Sequence, residues 1–400
     1  MKLLVVVSSL DLTQSYSATP AWWQLLKALY EIGVEVIATP YQGPAMESLW
    51  WRAEKNPARL QGEAFRSLRD IARVIMPPST VQMTDTTSAD EEATESLSDK
   101  AVRTLANTLI APLWRRHLER ILLHEPDIDA IIFLTVPLNH LNGIPRFLSE
   151  TYQKPVFYFD GDVPASLPNM KGFASGFRIY QGADVSEYTA FISNSRGGED
   201  LLKQLGVENV HTVLYGADPD VFSPVSVPTQ DIDVFFYGHG REYRAEWIDS
   251  MVTAPSNELT DYHFSVRGTK LGDIGKTELL PYLSFSKLRE YSCRSKINLC
   301  ITRGAHTSVY GSSSSRPFEL SAMGACIVAN PYNGLDEWFE PEKEIIIVES
   351  PEEIIDRYTY LLKNDSEREA IGQAARERVL KEHTFQHRAR DLTRIVRNYI

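Results

Sequence analysis

The chain has 400 residues, 43% hydrophobic and 24% charged, with a formal net charge of -12. That length and mix describe a globular protein of two or three domains. An acidic balance with no basic block argues against nucleic acid as a partner. Three cysteines without a metal-like spacing, Cys293, Cys300 and Cys326, read as reduced core thiols of a cytoplasmic protein.

The opening run Leu3 to Val7 is continuously apolar and reads as a buried parallel strand. It is too short for a signal peptide, and no stretch is long enough to span a bilayer. Contact with a membrane-bound acceptor stays open. A polar loop, Ser8 to Pro20, leads to a helix from Ala21 to Ile32 and a strand from Val34 to Ala38. This βαβ unit is the start of a doubly wound fold. The loop lacks the G-x-G-x-x-G spacing of a dinucleotide site. Gln14 and Tyr16 within it suit a hydroxylated acceptor, or simply a solvated loop. Trp22 at the helix start offers a flat face for a sugar ring, although core packing is the commoner fate of such a residue.

Residues 84–99 are acidic and poor in apolar side chains, and read as a mobile insertion. A helix over 100–123 follows, then strands at Ala130 to Thr135 and Pro155 to Phe159. The second of these runs into Asp160-Gly161-Asp162, at the carboxyl end of a strand, where open α/β sheets place ligands. Three readings fit the triplet: a general base or sugar-hydroxyl acceptor, a metal-holding pair, or a plain turn. A strand at Ala190 to Ser193, a helix at Gly197 to Leu205 and a strand from Val210 complete the first half. The proline-punctuated stretch 218–232 then reads as a linker.

The second half repeats the alternation. A strand from Asp233 to Tyr237 meets Gly238-His239-Gly240, a turn that suits close approach by a phosphate. Strands at Tyr262 to Arg267 and Lys296 to Thr302 follow, the second ending at Arg303. Next comes Ser312-Ser313-Ser314-Ser315-Arg316-Pro317-Phe318-Glu319, a loop turning into a helix. A helix start already carries partial positive charge, so Arg316 is badly placed there unless an anion sits beside it. Hydroxyls, free N–H groups and a guanidinium together describe a phosphate site, with Glu319 one turn in to take a ribose hydroxyl. The same residues also fit a flexible serine loop followed by a first-turn acid. A short strand, Ala325 to Ala329, another at Glu344 to Val348, and three helices to the end close the chain.

Taken together, Ser315-Arg316-Pro317-Phe318-Glu319 with Met323-Gly324-Ala325, Gly334-Leu335-Asp336-Glu337-Trp338-Phe339-Glu340-Pro341, and Glu382-His383-Thr384-Phe385 resemble GT-B glycosyltransferases. The resemblance is strongest to the spore maturation CgeB-like branch, and Tyr215-Gly216-Ala217-Asp218-Pro219 resembles that family's domain junction. It implies two Rossmann-like domains facing across a cleft: an acceptor domain over 1–217, a linker over 218–232, a donor domain over 233–384, and a final helix over 385–400 crossing back to the first domain.

It further implies transfer of a sugar from a nucleotide-diphosphate donor to an acceptor hydroxyl, with no metal and no bound cofactor. By that likeness Glu319 holds the ribose, and Ser315, Arg316 and the Gly238 turn hold the diphosphate; with His239, Arg303 and Ser314 these form the expected donor set, and from their place at the strand end Asp160 and Asp162 are the expected catalytic pair. Asp160 stands where many relatives carry a histidine, and Gly311 where many retaining relatives carry an acid. A nucleotide-sugar epimerase, or a binding protein that has lost the chemistry, are the competing expectations on the same fold.

Overall fold

The structure, a computed structural model, describes residues 1–13, 19–63, 97–168, 179–240, 244–282 and 284–400. Two parallel sheets organise it. The first runs in the order β3-β2-β1-β4-β5-β6-β7, with β1 Lys2–Ser9, β2 Glu35–Gln42, β3 Arg52–Ala53, β4 Ala130–Leu134, β5 Val156–Asp160, β6 Ala190–Ser193 and β7 Val210–Thr212. The second runs β10-β9-β8-β11-β12-β13, with β8 Ile232–His239, β9 Phe264–Thr269, β10 Glu278–Leu279, β11 Ser295–Cys300, β12 Ile327–Ala329 and β13 Ile346–Ile347. The unbroken apolar runs become strands because helices cover both sheet faces, so both faces of β1, β4 and β5 are buried.

Both sheets reverse their winding at one point, between β1 and β4 in the first and between β8 and β11 in the second. Crevices open at the carboxyl ends of such strand pairs. One apolar core runs through both halves, joining Trp22, Phe159 and Tyr215 to Phe235, Phe318, Trp338 and Phe385. The helix Phe385–Arg397 starts with a capping box in which Thr384 and His387 satisfy each other's end groups. It then packs on the helix Thr19–Glu31 of the first half. Gln386 donates to Glu31 at 2.7 Å, and the Tyr399 ring meets Phe157 edge-on at 5.5 Å.

Where a single helix is expected over 100–123, the structure has a helix Leu97–Leu105, a π turn Ala106–Ile110 and a helix Ala111–His124. Pro112 has no N–H to continue the regular ladder, and the wider turn forms immediately before it. The same sequence of events precedes Pro255, with a π turn at Asp249–Thr253. Residues 84–96 of the expected insertion lie outside the described residues. Among the described residues, no helix is long and apolar enough to cross a membrane.

Candidate active site

Three guanidinium groups gather at the open end of the β8–β11 crevice. Arg303 follows β11, and Arg316 sits in the first turn of the helix Ser315–Ala322. Arg244, which the sequence did not single out, donates to the carbonyls of His239 and Ile301, at 2.6 and 2.9 Å, across the ends of both strands. Burial first, and then the nearby charges of Arg303 and Arg316, lower the Arg244 pKa to about 9. Arg244 is thus a buried cation set close to two others.

Arg316 stands over the Tyr237 ring, its guanidinium carbon 3.2 Å from the ring centroid, and donates to the Tyr237 carbonyl. Its Nε is buried with no partner. Ser314 stands at the N-cap with φ -128° and ψ 160°, yet its hydroxyl makes no capping bond. First-turn N–H groups are thus left uncapped beside Arg316. Glu319, one turn further in, is 7% exposed and accepts from the Tyr237 hydroxyl at 3.3 Å. Burial raises its pKa, while Arg316, Ser315, Tyr237 and Gln24 of the first half oppose that rise. Arg303, Ser314, Ser315, Arg316 and Glu319 therefore line one wall.

The opposite wall is the turn after β5. Asp162 is the carboxylate that reaches the cleft: it pairs with Arg303 across the two halves and lies 3.5 Å from His306 Nε2. Burial, then the charges of Arg303 and Arg244, hold His306 well below the usual histidine range, so it is neutral there. The turn is braced by Thr135, just past the end of β4, a β-branched residue held at φ +52°, whose hydroxyl accepts from the Gly161 N–H at 3.2 Å.

Asp160 corrects the expectation of a base facing the acceptor. It is fully buried, and its oxygens accept from Ser166 Oγ, Tyr180 OH and the Asp162 N–H at 2.6, 2.6 and 2.9 Å. Burial pushes its pKa up to about 6 against those three bonds. It has no face left for a substrate and instead anchors the turn that presents Asp162. Nor are its oxygens free for a metal, and among the described residues no group of three or more His, Cys, Asp and Glu is placed to hold one.

Trp22 is also corrected: at 1% exposure it packs against Phe159 and Tyr215 at 5.7 and 5.8 Å and belongs to the core. Gly238 lies within β8, and a Cβ there would strike the Phe236 ring, so packing alone explains the glycine. Gly240, at φ +80° with open space around its Cα, is the turn position. His239 ends β8 and is turned onto Thr269 Oγ1 at 2.5 Å. Gln14 and Tyr16 lie outside the described residues. The first half of the serine run also departs from expectation. Ser312 and Ser313 are fully buried and bond to Val163 and Asn194 of the first half, so only Ser314 and Ser315 border the crevice.

Residues 244–394 match the glycosyl transferase-like family. The whole chain superposes on solved structures of one architecture. Sucrose-phosphate synthase from Thermosynechococcus elongatus gives a TM-score of 0.64 at 12% identity, over 99% of this chain and 98% of that one. An α,α-trehalose-phosphate synthase (UDP-forming) from Burkholderia vietnamiensis gives 0.62 at 13%, over 99% and 98%. Anabaena HepE, solved in complex with UDP-glucose, gives 0.59 at 10%, over all of both chains. The chain has the α/β fold of two parallel-sheet domains seen in GT-B glycosyltransferase structures. No curated protein matches it in sequence. The GT-B architecture puts the arginine crevice of the second half opposite the Asp162 turn of the first.

Proposed function

We propose that this protein is a glycosyltransferase that moves a sugar from a UDP-sugar to an acceptor hydroxyl without a metal. The observation that carries the reading is the meeting of Arg244, Arg303, Arg316 and an uncapped helix start at one strand-end crevice, opposed across the cleft by Asp162. Such a cluster suits a diphosphate. The choice of UDP draws on Anabaena HepE, whose structure contains UDP-glucose. Within the class, the run Ser315 to Gly324 favours the CgeB-like branch, and buried free thiols at Cys300 and Cys326 suit a cytoplasmic enzyme.

In this reading residues 233–384 hold the donor and residues 1–217 the acceptor. Glu319 takes a ribose hydroxyl. Arg303, Arg316, Ser314, Ser315 and the helix N-terminus take the diphosphate, which draws Arg303 away from Asp162. The freed Asp162 accepts the proton of the acceptor hydroxyl as its oxygen bonds to the anomeric carbon. The bond from that carbon to the β-phosphate oxygen breaks, and its electron pair leaves on the diphosphate. The guanidinium groups stabilise that charge as it develops, the role a metal ion plays elsewhere.

A panel of UDP-sugars tests the proposal, with UDP release followed in the presence and absence of sugar and lipid-linked hydroxyl acceptors. UDP and a glycosylated product should form together, and only with an acceptor present. Interconversion of the donor with no acceptor would indicate an epimerase, and binding without turnover a partner protein.

A further inference from the structure

The two walls of the cleft are not merely apposed. Asn194, at the end of β6 and 1% exposed, bonds to both. Its Oδ1 accepts from the Val163 N–H at 3.0 Å, immediately after Asp162. Its Nδ2 donates to the Ser313 carbonyl at 2.8 Å, and its own carbonyl accepts from the Ser313 N–H and Oγ at 3.0 and 2.8 Å. From the other half, Ser312 Oγ donates to the Val163 carbonyl at 2.6 Å. Val163 is thus held at its N–H by one half and at its C=O by the other.

Main-chain bonds extend the join. Ser195 and Ser312 form an antiparallel bridge, and the Arg196 and Gly197 N–H groups donate to the carbonyls of Gly311 and Tyr310 at 3.2 and 2.9 Å. Gly311 lies at φ +57°, and a Cβ there would sit 3.3 Å from the Arg196 side chain. The place where retaining relatives carry an acid is here taken up by the join.

We propose that Asn194 and Ser312 are positioning residues, which together fix the distance between the Asp162 turn and the Ser315–Arg316 helix start. The proposal rests on the functional reading above for its consequence in catalysis. Neither residue touches the substrate; each acts through Val163 or Ser313. A buried amide bonded at both ends specifies one geometry, because an alternative leaves polar groups unpaired. A misplacement of about 1 Å between reacting groups costs on the order of a hundredfold in rate.

The test uses the full chain with Asn194→Ala and, as the milder change, Ser312→Ala. In each, transfer to the acceptor should fall on the order of a hundredfold, with UDP affinity unchanged and a larger share of donor lost to water. Equal proportional losses of transfer and hydrolysis, or wild-type transfer in both variants, would overturn the proposal. Hydrogen exchange tests the join with no donor present. Segments 160–163 and 312–316 should lose protection together in either variant, and segments that respond separately would overturn it. Failure of the wild-type protein to bind UDP would count against the functional reading alone, because the exchange result stands independently.

Discussion

Replacing Arg316 separates the anion-site account from a structural one. This side chain stands over the Tyr237 ring, donates to the Tyr237 carbonyl, lies near the Glu319 carboxylate, and has a buried Nε with no partner. The ring contact and the bond together stabilise the fold by about 2–4 kcal/mol at most. Crowding with Arg244, whose pKa is already lowered in part by the Arg316 charge, works in the opposite direction. Arg316→Ala should therefore shift the melting temperature by only a few degrees.

Its effect on turnover should be much larger. Loss of one preorganised donor to a developing oxyanion costs roughly 3–4 kcal/mol, or about two to three powers of ten in kcat. Arg316→Lys should fall between wild type and alanine, because an ammonium keeps the charge but loses the planar group and its fork. Steady-state UDP release with a saturating acceptor, read beside a thermal melt, is the assay. An alanine variant with wild-type kcat, or one whose activity falls only as far as its stability, would refute the reasoning.

The remaining predictions follow from the other wall and the core. Asp162→Asn removes the carboxylate that competes for Arg303, so UDP should bind more tightly by calorimetry while kcat falls by about 10²–10⁴, as for loss of a general base; weaker UDP binding with full turnover would contradict this. Glu319→Gln should weaken UDP binding by about tenfold to a hundredfold through the ribose bond, and leave binding of free pyrophosphate unchanged. Asp160, raised to about 6 by burial, favours the folded state most when protonated. That contribution, on the order of 3 kcal/mol, is present below the unfolded carboxyl pKa near 3.8 and is lost as pH rises through 6. Urea melts between pH 4 and 7 should therefore show wild type losing stability relative to Asp160→Asn as pH rises. Trp22→Ala should cost about 3–5 kcal/mol of stability as a core deletion, and Trp22→Phe should leave the acceptor KM unchanged if Trp22 is not an acceptor contact.

The sheets were legible because β1, β4, β5 and β8 are long apolar runs buried on both faces, and a parallel strand needs little else. The two-residue edge strands β3 and β10 carry no such run and were missed. So were the helices Ile144–Tyr152 and Phe285–Arg294, one short and the other largely polar. In the site, Arg316 could be noticed because a cation at a helix start is locally anomalous.

Arg244 and Asn194 carry no local anomaly. Their importance comes from carbonyls 57 residues away at Ile301 and 119 residues away at Ser313, which only the fold brings within reach. The four serines of 312–315 are chemically identical in sequence, yet two are spent joining the halves and two border the crevice. Asp160 and Asp162 divide similarly: two residues apart, they would share a face if the strand continued, but β5 ends at Asp160 and the turn at Gly161 leaves one side chain inward on Ser166 and Tyr180 and the other outward on Arg303.

The central claim is a diphosphate gripped by protein cations at the start of the helix Ser315–Ala322. Calorimetric titration of UDP into the chelator-treated protein measures it most directly. Saturable binding at one site per chain, abolished or strongly weakened in Arg316→Ala, is the predicted result. Binding that needs an added divalent cation, or that Arg316→Ala leaves intact, would contradict it.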